Sequence, residues 1–247
     1  MNRGIVYVVG IGPGNIRDMT AAADKALEES RYIAGYSLYC DLIREHFSDK
    51  EYIETPMRGE EKRVRLAFEK AAEGNTVSII CSGDAGVYGM AGLACETRAS
   101  YKDVSLRIIP GVTAALSGAA LLGAPLIHDF CVISLSDRLT PMETIEKRLR
   151  LSAEADLSIV LYNPESKKRR GYLSHACRIL SEIIEPSRVC GIVRNIGREG
   201  ESCEITTLGE LGAAEADMFS TVFIGNHTTR MIDGLMVTAR GYESEQI

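Results

Sequence analysis

Ile5-Val6-Tyr7-Val8-Val9-Gly10-Ile11-Gly12-Pro13-Gly14 decides the fold, because it joins an apolar run to a glycine-rich turn. The run 5–9 predicts a buried β-strand, and the glycines predict a turn in which the backbone bends tightly. Residues 19–30 then have a helical pattern, with Asp18 placed to cap the helix. Strand, glycine turn and helix in this order indicate the first unit of an α/β fold.

Short apolar runs alternate with helical patterns along the rest of the chain. The further predicted strands are 31–34, 77–81, 106–109, 131–134, 157–161, 189–193 and 221–224. The further predicted helices are 60–73, 144–151 and 171–184. Small residues near 111–123 would permit a bend, so we predict two α/β domains, 1–112 and 113–247, each a mixed sheet flanked by helices.

The composition is that of a globular protein with an acidic balance of charge. The 247 residues, 45% of them apolar, are enough for two modest domains with cores of their own. A net charge of −6 argues against binding along a nucleic-acid backbone. The apolar stretch 113–127 is short and broken by Pro125, so it predicts no membrane span, and the N-terminus does not fit a signal peptide. Seven cysteines without a C-x-x-C pair indicate reduced thiols and a cytoplasmic protein.

The first glycine loop does not meet the requirements of a nicotinamide dinucleotide site. Such a site needs G-x-G-x-x-G, and Asn15 stands at the third glycine position. Pro13 has no backbone N–H to donate to a phosphate. An acidic residue for the ribose hydroxyls is expected after the second strand, where the chain has Gly35. We therefore expect a loop that approaches a ligand closely without binding phosphate.

Chemically useful side chains follow several predicted strands, and ligands of open α/β sheets bind at the carboxyl ends of strands. In the first half these motifs are 82–89, which carries Asp84 among glycines, and 110–114, which carries Thr113. In the second half they are Tyr162-Asn163 and Arg194-Asn195. Each is also compatible with an ordinary turn when it is considered alone.

Several catalytic signatures are absent from the sequence. There is no P-loop motif, no nucleophile elbow and no metal-ligand spacing among the four histidines, so we expect no metal. His175 lies in a predicted helix and fits an ordinary helix residue better than a ligand.

Taken in order, the motifs resemble the class III, or tetrapyrrole, methyltransferases over essentially the whole chain. The landmarks are 10–14, 82–84, 110–114, 162–163 and 222–225. Further segments are similar to the branch that methylates C17 of precorrin-3B or cobalt-factor III. These are 35–39, 82–90, 123–130, 133–141, 161–164 and 238–242. Ala85 and Ala239 stand where the wider family usually has proline, and the first of these departures is typical of the C17 branch.

The resemblance implies S-adenosyl-L-methionine as cofactor, folded in the cleft between the two domains, with S-adenosyl-L-homocysteine as product. It implies a tetrapyrrole substrate, a role in cobalamin biosynthesis and a homodimer. The cofactor-binding residues that it implies are Pro13, Ser82, Gly83, Asp84, Val87, Thr113, Ala114, Tyr162, Asn163, Arg194, Asn195 and Ile196. The first glycine loop, with Gly12 and Gly14, is expected to face the substrate.

Methyl transfer from a sulfonium to an electron-rich ring carbon needs alignment more than a protein nucleophile. Contraction of the ring, which the C17 branch is also credited with, needs proton transfer. We expect His128 and Asp137 to serve it, with Tyr88 and Asp129 as lesser candidates, although a turn or cap role fits each acid equally well. The arginines that could hold substrate carboxylates are Arg58 and Arg138 in first place, and then Arg63, Arg169, Arg194 and Arg198.

Three other functions stay open at this stage. The nearest is C11 methylation of the next pathway intermediate. The segments 128–130 and 134–141 favour the C17 branch over it. A nicotinamide-dependent oxidoreductase fits the fold pattern alone, and a tetrapyrrole carrier would bind the pigment without turning over a cofactor.

Overall fold

The first predicted strand lies inside a five-stranded sheet of the computed structural model, which describes residues 4–166 and 170–241. Arg169 and Tyr242, both singled out above, lie outside the described residues. The chain divides into two compact units, Met1–Ala114 and Ala115–Ile247, called the first and second unit below.

The sheet of the first unit is parallel throughout, in the order β3-β2-β4-β1-β5. Its strands are β1 (Ile5–Gly10), β2 (Tyr32–Tyr36), β3 (Glu51–Thr55), β4 (Thr76–Cys81) and β5 (Ser105–Ile109). Its helices are α1 (Ala21–Glu28), α2 (Ser37–Ile43), α3 (Glu60–Ala72) and α4 (Ala91–Arg98). A parallel arrangement brings the carboxyl ends of all five strands to one edge of the sheet.

Both faces of this sheet are buried, which explains why β1 is apolar at every position. Val6 and Val8 pack in one core with α3 and α4, whereas Tyr7 and Val9 pack in another with α1 and α2. Successive side chains of a strand point to opposite faces, so one short run of sequence contributes to two cores.

The second unit contains a mixed sheet in the order β10-β9-β11-β8-β7. Its strands are β7 (Phe130–Ser134), β8 (Ser158–Tyr162), β9 (Val189–Arg194), β10 (Ser202–Thr207) and β11 (Ser220–Ile224). A smaller sheet joins β6 (Gly123–Ala124), β12 (Thr229–Ile232) and β13 (Leu235–Thr238). The helices are α5 (Ala114–Leu122), α6 (Met142–Glu154), α7 (Tyr172–Leu180) and α8 (Leu208–Leu211).

Helices also cover both faces of the larger sheet in the second unit. Leu149 of α6 and Leu173 of α7 belong to the core on one face, together with Ile159 and Ile192 of the strands. On the other face α5 lies against Phe223, and a Cβ at Gly118 would come within 2.9 Å of that ring. Glycine at this position lets the helix approach the sheet closely.

The α/β fold class is confirmed, with three corrections of detail. The sheet of the second unit is mixed as expected, but the sheet of the first unit is parallel throughout. Asp18 does not cap α1: it lies in a short 3-10 turn, and the Thr20 hydroxyl accepts the N–H of Ala23 at 3.1 Å. The segment expected to permit a bend forms helix α5 over most of its length.

The sequence did not predict several elements, namely α2, β3, α4, β10 and the β12–β13 hairpin. In the ranges 4–166 and 170–241, no helix is both long enough and apolar enough to cross a membrane. All seven cysteines carry free thiols.

A charged cluster ties together the turns at one edge of the second sheet. The Arg188 guanidinium, 8% exposed, donates to Glu185, to Asp156 and, at 3.0 Å, to the carbonyl of Gly225. The ring and backbone N–H of His227 also contact the Asp156 carboxylate. Burial works against ionisation there, but the hydrogen bonds from His227 and the charges of His227 and Arg188 outweigh it and lower the pKa of Asp156.

Replacing Asp156 by Asn should therefore destabilise the protein in a pH-dependent way. The pKa of Asp156 is lower in the folded chain than in the unfolded chain, so the ionised group stabilises the fold above about pH 4 and loses this effect as the pH falls through its folded-state pKa. We expect a loss of roughly 1 kcal/mol at pH 7, because the carboxylate is partly exposed. Thermal unfolding of Asp156→Asn and of the exposed control Asp103→Asn, between pH 3 and 7 in roughly unit steps, measures this. A deficit that stays constant across the range would contradict it.

Candidate functional site

Three loops meet at the carboxyl edge of the first sheet, because β1 lies between β4 and β5. Gly10 is the register partner of Cys81, and Val9 is the partner of Ile109. The loops that follow, 10–14, 82–90 and 110–113, therefore start side by side. They contain most of the residues that the resemblance assigned to cofactor and substrate in the first unit.

Two N–H groups of the first loop are engaged, one with the end of β4 and one with the second loop. Ile11 donates to the Cys81 carbonyl at 2.9 Å, and Gly12 and Gly83 exchange two backbone hydrogen bonds at 3.1 and 2.7 Å. Pro13 follows without an N–H, and α1 begins only at Ala21. A pyrophosphate needs free N–H donors at a helix N-terminus, so this loop is not built for one.

Close packing of backbone accounts for two of the conspicuous glycines. A Cβ at Gly111 would lie 2.2 Å from the Gly83 carbonyl oxygen, and one at Gly10 would lie 2.7 Å from the same oxygen. Distances under about 3 Å between such atoms are not sustained by folded proteins. These glycines are required for the loops to touch each other, not for a ligand to approach them.

Gly83 and Gly86 are different, because a Cβ at either position would meet no backbone atom closer than 3.6 Å. At Gly83, with φ +69°, a Cβ would find its nearest neighbours at 3.6 and 3.7 Å, in the backbone of Thr113 and Ala114. At Gly86, which is exposed, it would lie 3.3 Å from the Asp84 carboxylate. The structure thus brings together the expected cofactor residues Gly83, Thr113 and Ala114.

Both carboxylate oxygens of Asp84 are engaged in holding the loops. One accepts the N–H of Gly86 at 2.7 Å and that of Val87 at 3.1 Å, and the other accepts the N–H of Gly111 at 2.9 Å. A charged acceptor strengthens each of these hydrogen bonds. Asp84 therefore fixes the shape of the second loop and ties it to the third.

Two further expected residues of the first unit adopt left-handed backbone conformations at the same edge. Tyr88, in the second loop, has φ +54° and is 57% exposed. Arg58, in the loop after β3, has φ +70° and is exposed, and its N–H donates to Glu60. Non-glycine residues occupy this region only when the surrounding structure holds them there. β3 lies two strands from β4, so Arg58 belongs to a neighbouring part of the edge.

In the second unit, the ends of β7 and β8 lie together, with Ser134 as the register partner of Tyr162. Asn163 follows with φ +52°, and its side-chain amide donates to the Ser134 hydroxyl at 3.0 Å. The Tyr162 hydroxyl accepts the N–H of Ala115 at 2.6 Å in the first turn of α5. Each expected residue thus joins its strand end to a neighbouring element.

The segment 194–196 ends β9 at the same edge of this sheet, because β11 runs antiparallel between β8 and β9. Two strand spacings separate β8 from β9, about 10 Å. The Arg194 guanidinium donates to Glu204 at 3.2 Å and to the carbonyl of Glu215 at 3.0 Å. Asn195 has φ +52°, and Ile196 is buried near Gly118 of α5. The Arg194 side chain therefore has a structural role, whereas the backbone that follows it lies at the strand end.

The structure does not bring His128 and Asp137 together. His128 is exposed just before β7, and Asp137 and Arg138 are exposed just beyond its other end. The five residues of the strand span about 17 Å, so one reacting atom cannot contact both side chains. Asp137 lies at the edge that carries Asn163, and it accepts a hydrogen bond from the Tyr172 hydroxyl at 2.8 Å.

Sequence reasoning missed Ser134 and Tyr172, which contact Asn163 and Asp137. A hydroxyl at the end of β7 was a visible signal for Ser134, whereas Tyr172 lies 35 residues from its partner and had none. Of the other arginines named above, Arg63 is buried and Arg198 stacks on the Phe219 ring at 5.1 Å.

Thiol and metal chemistry have little support at these edges. Burial raises the pKa of the Cys81 thiol to about 11, so it stays protonated at neutral pH. His175 pairs with Glu146 at 2.7 Å on the α6–α7 surface. In residues 4–166 and 170–241 no group of three or more His, Cys, Asp or Glu side chains is placed to hold a metal ion.

Comparison with known proteins places these loops in context. Residues 5–212 match the family of Tetrapyrrole (Corrin/Porphyrin) Methylases. The chain is 47% identical over 239 residues to the probable cobalt-factor III C(17)-methyltransferase of Salmonella typhimurium, across 96% of this chain and 99% of that protein. It is 42% identical to the precorrin-3B C(17)-methyltransferase of a Sinorhizobium species, across 93% and 92%. The crystal structure of the methyltransferase CobJ superposes with a TM-score of 0.88 at 38% identity, across 96% of this chain and all of that one.

Replacing Gly111 by Ala should unfold the loop junction. The new Cβ would lie 2.2 Å from a backbone oxygen that cannot move alone, so we expect a loss of about 3 kcal/mol, the upper end for overpacking. Gly92→Ala is the control: that glycine is on α4 with nothing within 4 Å, and alanine there should stabilise by up to about 1 kcal/mol. Denaturant unfolding of both variants measures the difference, and equal stabilities would refute the close packing.

Proposed function

Since the chain belongs to the tetrapyrrole (corrin/porphyrin) methylase family, we propose that it methylates C17 of precorrin-3B or cobalt-factor III in cobalamin biosynthesis, with contraction of the ring. The observation that carries this is the close identity, over almost their whole length, to relatives named for that reaction. The chain is thus a methyltransferase, and its relatives' names do not favour the C11 or oxidoreductase alternatives.

We assign the methyl donor, S-adenosyl-L-methionine, to two sets of residues, one in each unit. The set in the first unit is Pro13, Ser82, Gly83, Asp84, Val87, Thr113 and Ala114, and the set in the second unit is Tyr162, Asn163, Arg194, Asn195 and Ile196. The exposed backbone at Gly86 fits a ligand lying on backbone, and Asp84 holds that backbone in place. Asn163 and Asn195 offer side-chain amides, which suit the edge of a nucleobase.

The donor supplies an electrophilic methyl group, and the residues of the chain need only orient it and the acceptor carbon. Rigid loops suit this task, since alignment alone can contribute several kcal/mol to catalysis. The three backbone N–H groups bound by Asp84 and the Gly12–Gly83 pair provide that rigidity. A neutral, buried Cys81 is consistent with a reaction in which no protein thiolate attacks.

We assign the substrate to Gly12 and Gly14 of the first loop and to Arg58 and Arg138. Acetate and propionate groups are anionic, and a guanidinium can bind a carboxylate through two parallel hydrogen bonds. Arg58 supports this assignment by its exposure and by its held backbone conformation. By family resemblance we also propose a homodimer in the cytoplasm, which size-exclusion chromatography with light scattering and cell fractionation would test.

For proton transfer during ring contraction we favour Asp137, with Tyr88 as a second candidate. Asp137 lies at the sheet edge that carries Asn163, which we assign to the methyl donor. Its carboxylate is oriented by the hydrogen bond from the Tyr172 hydroxyl. His128, our other expectation from the sequence, lies at the far end of β7, so we propose for it a role separate from that of Asp137.

Labelled S-adenosylmethionine, incubated with the protein and either metal-free or cobalt-bearing substrate, tests the activity directly. We expect transfer of one labelled methyl group, with mass analysis placing it at C17 and identifying the accepted substrate. Calorimetry should show binding of S-adenosylhomocysteine. Binding of NADH without binding of S-adenosylhomocysteine, or a product methylated at C11, would overturn the proposal.

Asp137→Asn should slow ring contraction by about a hundredfold, the lower end of what a general acid or base contributes. His128→Ala should affect it much less, because it removes a side chain about 17 Å away along β7. Rapid quenching and mass analysis separate methylated from contracted product in each variant. Tyr172→Phe tests the orientation of Asp137, since it removes the hydrogen bond to that carboxylate, and it should slow contraction less than Asp137→Asn does. Wild-type rates in both the Asp137 and His128 variants would refute these assignments.

A further inference from the structure

Arg63 is a buried cation whose hydrogen bonds go to neutral groups. It lies on α3 and is 4% exposed, although it is one of the arginines that the sequence suggested for the rim of the substrate site. Its guanidinium donates to the Thr55 hydroxyl at 2.9 Å, to the Met90 sulfur at 3.1 Å and to the Pro56 carbonyl at 3.4 Å. Burial lowers the pKa of this guanidinium, while the charge of Glu60 raises it.

The comparison with Arg188 shows how unusual this environment is within the same chain. Arg188 is buried to a similar degree, but it donates to Glu185 and Asp156. Arg63 instead donates to a hydroxyl, a sulfur and a carbonyl oxygen. A buried charge with neutral hydrogen-bond partners is costly, and neither lysine nor an apolar side chain would offer the same planar set of donors.

Its three partners lie in two different loops. Thr55 and Pro56 belong to the end of β3 and the loop after it, and Met90 closes the loop after β4. Met90 is anchored a second time, because its N–H donates to the Cys81 sulfur at 3.4 Å. The planar guanidinium therefore joins the loop after β3 to the loop after β4, in a way that a single ammonium group could not.

Each of these loops carries one of the two residues with a left-handed backbone conformation, Arg58 and Tyr88. Arg58 lies two residues after Pro56, and Tyr88 lies two residues before Met90, both with positive φ. Gly59 and Gly89 are tightly packed next to them, with Cβ positions 3.0 Å from the Pro56 oxygen and 2.3 Å from the Ala85 oxygen. The contacts of Arg63 thus lie where the two left-handed residues need support.

We propose that Arg63 is a positioning residue for substrate binding: it fastens the two loops that present Arg58 and Tyr88 and so sets the affinity for the anionic tetrapyrrole. This inference rests on the proposed function, because Arg58 is assigned there to the substrate and Tyr88 to proton transfer on that substrate. Arg63 touches neither substrate nor donor itself. Its effect is on the geometry of the side chains that do.

The test compares Arg63→Met, which removes the charge and the planar guanidinium, with Arg63→Lys, which keeps the charge but cannot span both loops. Arg65→Met is the matched control, since Arg65 is exposed on the same helix and pairs with Glu69. We expect Arg63→Met to raise the KM for the tetrapyrrole by about tenfold, the effect of losing hydrogen bonds to a charged group. We expect kcat and the Kd for S-adenosylhomocysteine to change by less than about threefold, and Arg63→Lys to be intermediate. Arg65→Met should match the wild type.

Hydrogen exchange gives a readout that does not depend on the reaction. In Arg63→Met the amides of Gly59 and Ala91, which donate to Pro56 and Ala85, should exchange faster, while those in the middle of β4 should not. An unchanged KM in a folded Arg63→Met, or equal losses of substrate and S-adenosylhomocysteine affinity, would overturn the inference. If Arg63→Met does not fold, an unchanged KM in Arg63→Lys overturns it instead.

If the wild-type protein methylates neither precorrin-3B nor cobalt-factor III, the proposed function is refuted. The role of Arg63 in holding the two loops is then tested by hydrogen exchange alone. Faster exchange in both loops would then support the positioning of Arg58 and Tyr88 by Arg63. Unchanged exchange in both would overturn it.

Discussion

The close contact of three backbone segments, at Gly10, Gly83 and Gly111, is the constraint on which the rest of the first unit depends. Neither Gly10 nor Gly111 leaves room for a side-chain carbon against the Gly83 carbonyl. The Asp84 carboxylate then binds N–H groups of two of these loops at once. Because the loops hold each other, the positions that carry Tyr88, Thr113 and Ala114 are fixed by the sheet beneath them. A parallel sheet with both faces buried provides a rigid base for this.

The sequence was sufficient to predict the central strands, because strands buried on both faces are mostly apolar. It was not sufficient for β3 and β10, which are edge strands rich in polar residues, with one neighbour each. Helix α2 has no side-chain cap, so nothing in the sequence marked its start. Helix α5 is rich in Gly and Ala and is packed through Gly118, so it lacks the polar face by which a surface helix is recognised.

The candidate site could be predicted as a set of strand ends, but not as a set of roles. Position after a strand was enough to select Asp84, Asn163 and Asn195. Only the structure shows that the Asp84 carboxylate and the Arg194 guanidinium are occupied by the protein itself. Likewise His128 and Asp137 are nine positions apart in sequence, and only the extended strand between them reveals that they lie at opposite ends. A sequence gives the order of residues along the chain, whereas proximity depends on the conformation of what lies between.

The hydrogen bonds of Asp84 to three backbone N–H groups have a consequence for engineering this protein toward other substrates. Residues 10, 84, 89 and 111 form a frame that is held by hydrogen bonds and close packing within the chain itself. Val87 and Tyr88 are carried by that frame, since the Asp84 carboxylate accepts the N–H of Val87 and Tyr88 follows it in an exposed position. Mutational libraries aimed at new macrocyclic acceptors can therefore vary Tyr88 while leaving the frame untouched, with side chains that tolerate a left-handed backbone. Substrate choice on this architecture then depends on exposed residues that a packed support holds in place.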